Sequence, residues 1–598
     1  MTVLIKLPMS RRAVFAMPTL YLSGHAVSSA KATDADESSD WPNWAPRRRD
    51  LYAKIEAHAR AEGRDLRSFG AALDGRTDDS LAFERAIAAG VRVLVIPATV
   101  SGAVIRLARQ IVLTRAITIM GSGDSPLIRW DGKEPSPFFA RPPGDEETSF
   151  VEDIHLDGLQ VMRPDSLPVS IAILSGHNMR RVSLTRCSSR RMGGLMVKHM
   201  REANGRYKRT AGSATLDPAV MAGFSAEHTD DLNEEIFVFD NKIDGGAYMS
   251  NVVRFNFSRK IAVVGNEGRF ANISWWGGGA RHTEGGSLGF QRRVREVYIT
   301  NNRLSGANGG IYGNNGDGIL VAHNDISLMT DVGIDFEGCF NALAYNNIVR
   351  NVGNFCYATF YAAKNIVFRD NYGMQDGDGT NLHLVYGKGR YGRMAGRALL
   401  ALRSAGFGNV AGAIDVSFID NHFVWAGPKG LGNCVPSYFN RLRLEGNRFE
   451  NVECNLAYTR TGELEVMGNK LSFDRTGDAP IRILGSSANR TLMVGNEIRN
   501  TAAQKPGSLS IFDKALSAHH ACEIRDNRLF APPAAGGLPM VLEMTADIAA
   551  DYIVTNNQLP SIHASRPSNV QAKNNRNLDG KAVKVTPIPT DRRHDDKA

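Results

Sequence analysis

Through most of the chain apolar and polar residues alternate with a period of two in short runs, as in Ile319-Leu320-Val321-Ala322-His323-Asn324-Asp325-Ile326 and Leu442-Arg443-Leu444-Glu445-Gly446-Asn447-Arg448-Phe449. Such alternation predicts strands with one buried face. An asparagine follows each run at a fixed place, at Asn241, Asn266, Asn302, Asn324, Asn347, Asn371, Asn421, Asn447, Asn469, Asn496, Asn527 and Asn557. Seven of the eleven intervals fall between 22 and 27 residues, and the interval of 50 reads as two turns of the same repeat. A fixed period of this size predicts a solenoid. Apolar residues sit five and three before each Asn and often two after, and an Asn turned inward at the strand bend is able to bond the equivalent Asn one coil away, about 4.8 Å along the sheet. The L-x-x-L-x-L-x-x-N phrasing of a leucine-rich repeat is absent. Val151 to Leu159 and Val182 to Ser189 alternate in the same way without the Asn, and extend the solenoid toward the N-terminus.

The segment before the repeats is different in kind. Residues 31 to 62 read as a polar linker and a short helix, with Asp50 as its cap and Tyr52, Ile55 and Ala59 on one face, a lid for the end of the solenoid. Then comes Phe69-Gly70-Ala71-Ala72-Leu73-Asp74-Gly75-Arg76-Thr77-Asp78-Asp79, a helical stretch from Ser80 to Gly90, and the buried strand Val91 to Pro97. This turn, helix and V-x-V-I-P strand resemble the N-terminal signature of the pectate lyase superfamily. The resemblance implies an all-β fold, a single-stranded right-handed parallel β-helix with an N-terminal capping helix and long loop insertions, spanning residues 63 to 580. It also implies carbohydrate-active chemistry, which in that superfamily includes lyases, glycoside hydrolases and epimerases. Thr77, Asp78 and Asp79 could suggest a metal site, but they stand where a helix N-terminus wants oxygen acceptors and negative charge.

Composition narrows the partner. The 598-residue chain has 71 Lys plus Arg against 62 Asp plus Glu, a net charge of +9, which favours an acidic partner. No nucleic-acid recognition signature accompanies that charge, so an acidic polysaccharide is expected and nucleic acid is not. Ser10-Arg11-Arg12, followed by a modestly apolar run to Ala30, resembles a twin-arginine signal peptide over residues 1 to 30. That implies a periplasmic or secreted protein without a permanent membrane anchor. Cys187, Cys339, Cys356, Cys434, Cys454 and Cys522 show no metal-binding spacing. Buried thiols are expected for them, with a Cys434 to Cys454 bridge as the alternative. The tail from Lys581 to Ala598 reads as disordered. The fold itself is compatible with a monomer or a homotrimer.

Irregular intervals mark insertions at 198 to 235 (Lys198, His199, Arg201, Arg206, Lys208, Arg209), at 268 to 290 (Trp275, Trp276, Arg281, His282) and at 373 to 409 (Lys388, Arg390, Arg393). Loops of a solenoid decorate one face, commonly the binding one. Positions twelve and ten before each ladder Asn then define an outward pair on a second strand: Arg254 and Asn256, Tyr312 and Asn314, Asp335 and Glu337, Thr359 and Tyr361. His383 is placed outward on a further coil inside the long interval, and Arg292 ten before Asn302.

Asp335 and Glu337, two apart on one strand face, are expected about 6 to 7 Å apart, inside the range where an acid and a base flank a glycosidic bond. Arg254, Arg292 and His383 could hold an acidic substrate, Tyr361 could donate a proton, and Trp275 and Trp276 could stack on a sugar ring. Each has a plainer reading: solvated carboxylates, a hydrogen-bonded surface histidine, tryptophans that pack a loop. Asp376-Gly377-Asp378-Gly379 could contribute to a calcium site but lacks further oxygen ligands and reads as a turn, so no cofactor is expected. The motif series of polygalacturonase-like hydrolases is missing apart from a faint echo in Gly316-Asp317-Gly318. Three readings follow: cleavage of an acidic polysaccharide by hydrolysis through the carboxylate pair, β-elimination by a uronate lyase in the same groove, or a non-catalytic glycan-binding surface protein.

Overall fold

The structure is a computed structural model that describes residues 40–98, 103–121, 126–144, 146–204, 231–246, 250–278, 293–360, 363–376, 398–403, 415–427, 430–437, 439–454, 461–474, 481–484, 490–501, 509–515, 521–530, 541–546 and 551–588. Successive coils each give one strand to each of three long parallel sheets, here A, B and C, of 18, 16 and 12 strands. The chain is a right-handed parallel β-helix. Toward the C-terminus sheet C ends at Val452–Glu453, and a five-stranded parallel sheet from Ile481–Leu484 to Val585–Pro587 follows.

The turn from sheet A to sheet B explains the repeat. The residue before each ladder Asn is left-handed: Asp240, Gly265, Asn301, His323, Asn346, Asp370, Asp420, Gly446, Gly468, Gly495, Asp526, Asn556 and Asn574 all have positive φ. Gly, Asn and Asp enter that region at least cost, so the sequence carries one of them at nearly every coil. The side chain that follows turns inward and bonds along the axis. Asn347 Oδ1 accepts from Asn324 N (3.0 Å) and Nδ2 (2.9 Å), and Asn347 Nδ2 donates to Asn371 Oδ1 (3.0 Å). The ladder is one unit longer at each end than the asparagine spacing announces, since Cys187 N donates to Asn241 Oδ1 (2.9 Å) and Asn557 N to Asn575 Oδ1 (3.1 Å).

The interval of 50 residues is a single coil, not two. Asn371 N donates directly to Asn421 Oδ1 (3.0 Å), and Lys364–Arg369 pairs with Asp415–Ile419 without an intervening strand. The surplus residues lie between strands, on either side of Ala398–Arg403.

Helix α1 (Arg48–Glu62) does not close the end of the solenoid. It lies on the outer face of sheet A, where Leu51, Ile55 and Trp41 cover Phe237, Phe239, Ala262, Val264 and Tyr298. Those outward residues form an apolar patch that must be shielded, which sets the helix's position. Arg48 Nη1 (2.8 Å) and Tyr52 OH (2.5 Å) both donate to Asp240, and the Tyr345 hydroxyl bonds Asp40. Asp50 lies in the first turn; the N-cap position is Arg47. The lid is helix α2 (Ser80–Ala88), whose Phe83 and Ala86 are buried in the main core with Phe83 edge-on to Phe138.

The acidic cluster before α2 ties backbone, although Asp79 at the N-cap position bonds the preceding loop and not the helix. Asp79 accepts from Ala72 N (2.7 Å), while Asp78 accepts from Ser80 N and Ala108 N (3.1 Å each). At the other end residues 581–588 are ordered, since Ala582 bridges Arg576 and Val585–Pro587 pairs with Ser561–Ala564; residues 589–598 lie outside the described residues, as do 1–39.

Candidate functional site

Seven neighbouring strands of sheet C build the face that the outward pairs point to: β1 (Leu195–Lys198), β2 (Ser250–Asn256), β3 (Ala271–Trp276), β4 (Ile311–Asn314), β5 (Ile334–Glu337), β6 (Tyr357–Phe360) and β7 (Ala398–Arg403). Strand register stacks Met196, Arg254, Ser274, Tyr312 and Asp335 in one outward column. Asn256, Trp276, Asn314 and Glu337 stack in the next.

The two carboxyls on β5 are not a solvated surface pair. Asp335 is 2% exposed, and its neighbours Tyr312, Ala358 and Phe360 join Val332 and Phe355 in an apolar cluster on the outer face. Burial first, then the charge of Glu337, hold the Asp335 carboxyl well above the usual carboxylate range. Glu337 is also raised by burial, though hydrogen bonds from Asp335 and from the Asn314 amide pull it back. The two carboxyls lie close enough to act on each other, with Asp335 raised further than Glu337 by burial and by its neighbour's charge. They stand nearer than the expected separation of about 6 to 7 Å, since each influences the other as a hydrogen-bonding neighbour. Asp335 Oδ1 is buried without a hydrogen-bond partner.

Along the axis Arg254 lies over the Trp276 ring, 5.4 Å from guanidinium carbon to centroid. Asn256 donates through Nδ2 to both oxygens of Glu202 (2.9 and 3.0 Å), from the short helix Met200–Ala203 that follows β1. Tyr312 is raised by burial, which outweighs the opposing influence of its Asn308 hydrogen bond and of Arg254.

Several sequence expectations need correction. Trp275 is fully buried, stacked on Phe255 (centroids 6.2 Å apart, rings at 17°), and belongs to the core; as consecutive strand residues, Trp275 faces in and Trp276 out. Both sit on β3, inside what the interval marked as a loop. Thr359 also faces inward. Register pairs Phe336 with Thr359 and Glu337 with Phe360, so the outward residues of β6 are Ala358 and Phe360. Three residues separate β6 from the next sheet A strand at Lys364, where two separate β5 from Phe340, and that extra residue shifts a count made backward from the ladder Asn by one. A shift of one exchanges the faces. Tyr361, His383 and Arg292 lie outside the described residues. Next to Arg292, Arg293 is 1% exposed and caps the turns beyond β4 and β5, donating to the carbonyls of Gly316 (3.3 Å) and Gly338 (3.0 Å) against the Phe340 ring.

A third carboxylate was not anticipated. Asp331, in the turn before β5, is raised by burial, accepts from Asn354 Nδ2 (3.0 Å) and adds its charge to both Asp335 and Glu337. Asn308, Asp331 and Asn354 stack through backbone hydrogen bonds (Asp331 N to Asn308 O 2.7 Å, Asn354 N to Asp331 O 2.8 Å). They recur every 23 residues, the signal that could have found them. No group of His, Cys, Asp and Glu among the described residues is arranged to hold a metal ion, and Asp376 is engaged by Asn351 Nδ2 (2.7 Å). No helix among them is long and apolar enough to cross a membrane. Cys434 and Cys454 are free and buried, their sulfurs 3.7 Å apart.

No protein-family model matches the chain, and neither does any curated protein. Among solved structures, bacteriophage phi29 gene product 12 in its pre-mature form aligns over 88% of this chain and 68% of its own, at 12% identity and a TM-score of 0.40. The family 28 exopolygalacturonase of Yersinia enterocolitica aligns over 89% and 78%, at 12% identity and a TM-score of 0.33. The catalytic unit of the GH87 α-1,3-glucanase of Streptomyces thermodiastaticus aligns over 89% and 66%, at 12% identity and a TM-score of 0.27.

Proposed function

We propose that the outer face of sheet C is a glycan groove and that the protein is an exported enzyme cleaving glycosidic bonds of an acidic polysaccharide by hydrolysis. The observation that carries this reading is the Asp335 and Glu337 pair, two carboxyls raised by burial and by each other, on the outward face that also carries Trp276 and Arg254. A carboxyl kept protonated near neutral pH is the proton donor a glycosidic oxygen needs, and its ionised neighbour can act as base or nucleophile. Standing close together, the two would flank a glycosidic bond once substrate enters between them. Trp276 offers a sugar a ring face and Arg254 offers a carboxylate a cation.

β-Elimination in the same groove is the second reading, with Arg254 neutralising a uronate and Tyr312 placed nearby. The raised Tyr312 hydroxyl favours hydrolysis over it, since the eliminating base must be deprotonated. A non-catalytic glycan-binding protein is the third.

The full-length protein, incubated with a panel of acidic polysaccharides, separates them. Reducing ends that rise without unsaturated-uronate absorbance mean hydrolysis. Both rising together mean a lyase, and binding with neither signal means a binding protein. Asp335→Asn and Glu337→Gln should each lower hydrolysis at least a hundredfold, as expected for loss of a general acid or base. Full activity in both overturns the assignment.

A further inference from the structure

The outer face of sheet A carries a second cluster of titratable groups, gathered where α1 lies on the sheet. His155 is on the strand Val151–Asp157, where Ile154 and Leu156 belong to the core and His155 between them therefore faces out. Register sets it between Thr118 and Ser183 on the flanking strands, and its Nδ1 bonds the Ser183 hydroxyl (2.9 Å). α1 is fastened over this part of the sheet. Its Leu51 and Ile55 share an apolar cluster with Met120, the register partner of Asp157. Its Glu56 accepts from Arg186 Nη1 (2.9 Å), and Arg186 Nη2 donates to Asp157 (2.6 Å), two residues from His155 on the same strand.

Charge around His155 is uneven. α1 brings the charges of Lys54 and His58 to bear on it, His58 itself standing 3.4 Å from Glu62. The sheet brings Arg181, which donates to Asp153 (2.7 and 3.0 Å) and to Glu152 (2.6 Å). Asp157 and Glu56 are matched in the same way to Arg186. An imidazolium formed here would join Lys54, His58 and Arg181, while each carboxylate beside it already has its cation. Burial brings the imidazole down to about 4; Asp153 opposes that shift, and Lys54, His58 and Arg181 add to it.

We infer that His155 makes α1 an acid-released strap: with a neutral imidazole the helix stays on sheet A, and protonation of His155 drives it off, uncovering the apolar patch of Phe237, Phe239, Ala262, Val264 and Tyr298. Once the helix leaves, the imidazole returns toward the 6.5 of a solvated histidine. Docking is therefore at full strength above that value and weakens as pH falls from there to about 4. Between pH 7 and pH 5 the balance moves about twentyfold toward release. This holds whatever the outer face of sheet C binds.

Amide exchange of the full-length protein, followed by mass, tests the strap at pH 7 and pH 5. Rates at Leu51 and Ile55 are taken relative to the core strand Gly316–Ala322, so the intrinsic pH dependence of exchange cancels. In wild type that ratio should rise about twentyfold from pH 7 to pH 5. His155→Asn, which keeps a neutral partner for Ser183, should remove the rise, and His58→Gln, at an exposed position, should retain it. A wild-type rise below about threefold overturns the inference. So does a rise that survives in His155→Asn or vanishes in His58→Gln. Wild type and His58→Gln decide the matter even where His155→Asn loosens the solenoid.

Discussion

Replacing Asn347 by Ala removes a rung from the middle of the ladder, in the coil that carries Asp335 and Glu337. Four hydrogen bonds go: two accepted from Asn324, one donated to Asn371 Oδ1, and one donated to Val321 O (2.9 Å). Not all leave an orphan. Asn324 Nδ2 still reaches the carbonyls of Ala322 (2.9 Å) and Ile299 (3.2 Å), and Asn371 Oδ1 still accepts from the backbone of residue 347 (3.0 Å). The backbone N–H of Asn324, on a residue 1% exposed, loses its acceptor. That orphan costs about 1–3 kcal/mol, and the other three bonds about 0.5–1 kcal/mol each, so the loss should be about 2.5–6 kcal/mol. Guanidinium denaturation measures it against Glu267→Ala, an exposed position on the same solenoid, which should change stability by less than about 0.5 kcal/mol. Because coils of a solenoid contact only their neighbours, amide exchange should locate the damage to the coils from Asn324 to Asn371. If Asn347→Ala costs no more than Glu267→Ala, or if exchange rises uniformly along the chain, the ladder does not hold the coils together as argued.

Asp335→Asn should stabilise the protein while it disables the site. The Asp335 carboxyl is raised in the folded state and returns to about 3.9 when unfolded, so stability falls as pH climbs from that value through the folded one. The melting temperature of the Asn variant should exceed wild type at pH 7 and converge with it near pH 4; a less stable variant at pH 7 refutes the cause. Trp275→Ala should cost about 3–5 kcal/mol as a core cavity, whereas Trp276→Ala should cost less than about 1 kcal/mol and show its effect in glycan binding, read by denaturation and titration together. Asp240→Ala strips the acceptor shared by Arg48 and Tyr52, so limited proteolysis should cut before or within α1 faster while the solenoid stays folded; unchanged cleavage means the apolar patch alone holds the helix. Cys434 and Cys454 each directly follow the paired residues Asn433 and Glu453, with sulfurs 3.7 Å apart, so a disulfide oxidant should remove these two of the six thiols, read by peptide mass, and Cys434→Ser should abolish the change.

The sequence determined the repeat and what it means. Period-two alternation sets which strand faces are buried, Gly, Asn and Asp at the left-handed turn set where each coil bends, and the inward Asn that follows sets how coils stack. These are local effects, so they are written at every coil and can be counted. Outward partners of the ladder turn were legible wherever the connection after the strand has the usual length, which is why Arg254, Asn256, Tyr312, Asn314, Asp335 and Glu337 fall where counting puts them. One extra residue after β6 was enough to misplace Thr359, because face alternates with every residue and a count cannot see where in a turn an insertion is absorbed. Only the tertiary structure decided that the 50-residue interval is one coil, that α1 shields an apolar patch on sheet A, and that Asp331 joins the carboxyl pair. It also decided that Asp335 and Glu337 are both raised. Burial is the first cause of both shifts, and the residues that flank Asp335 in register, Tyr312 and Ala358, lie a full coil away in sequence.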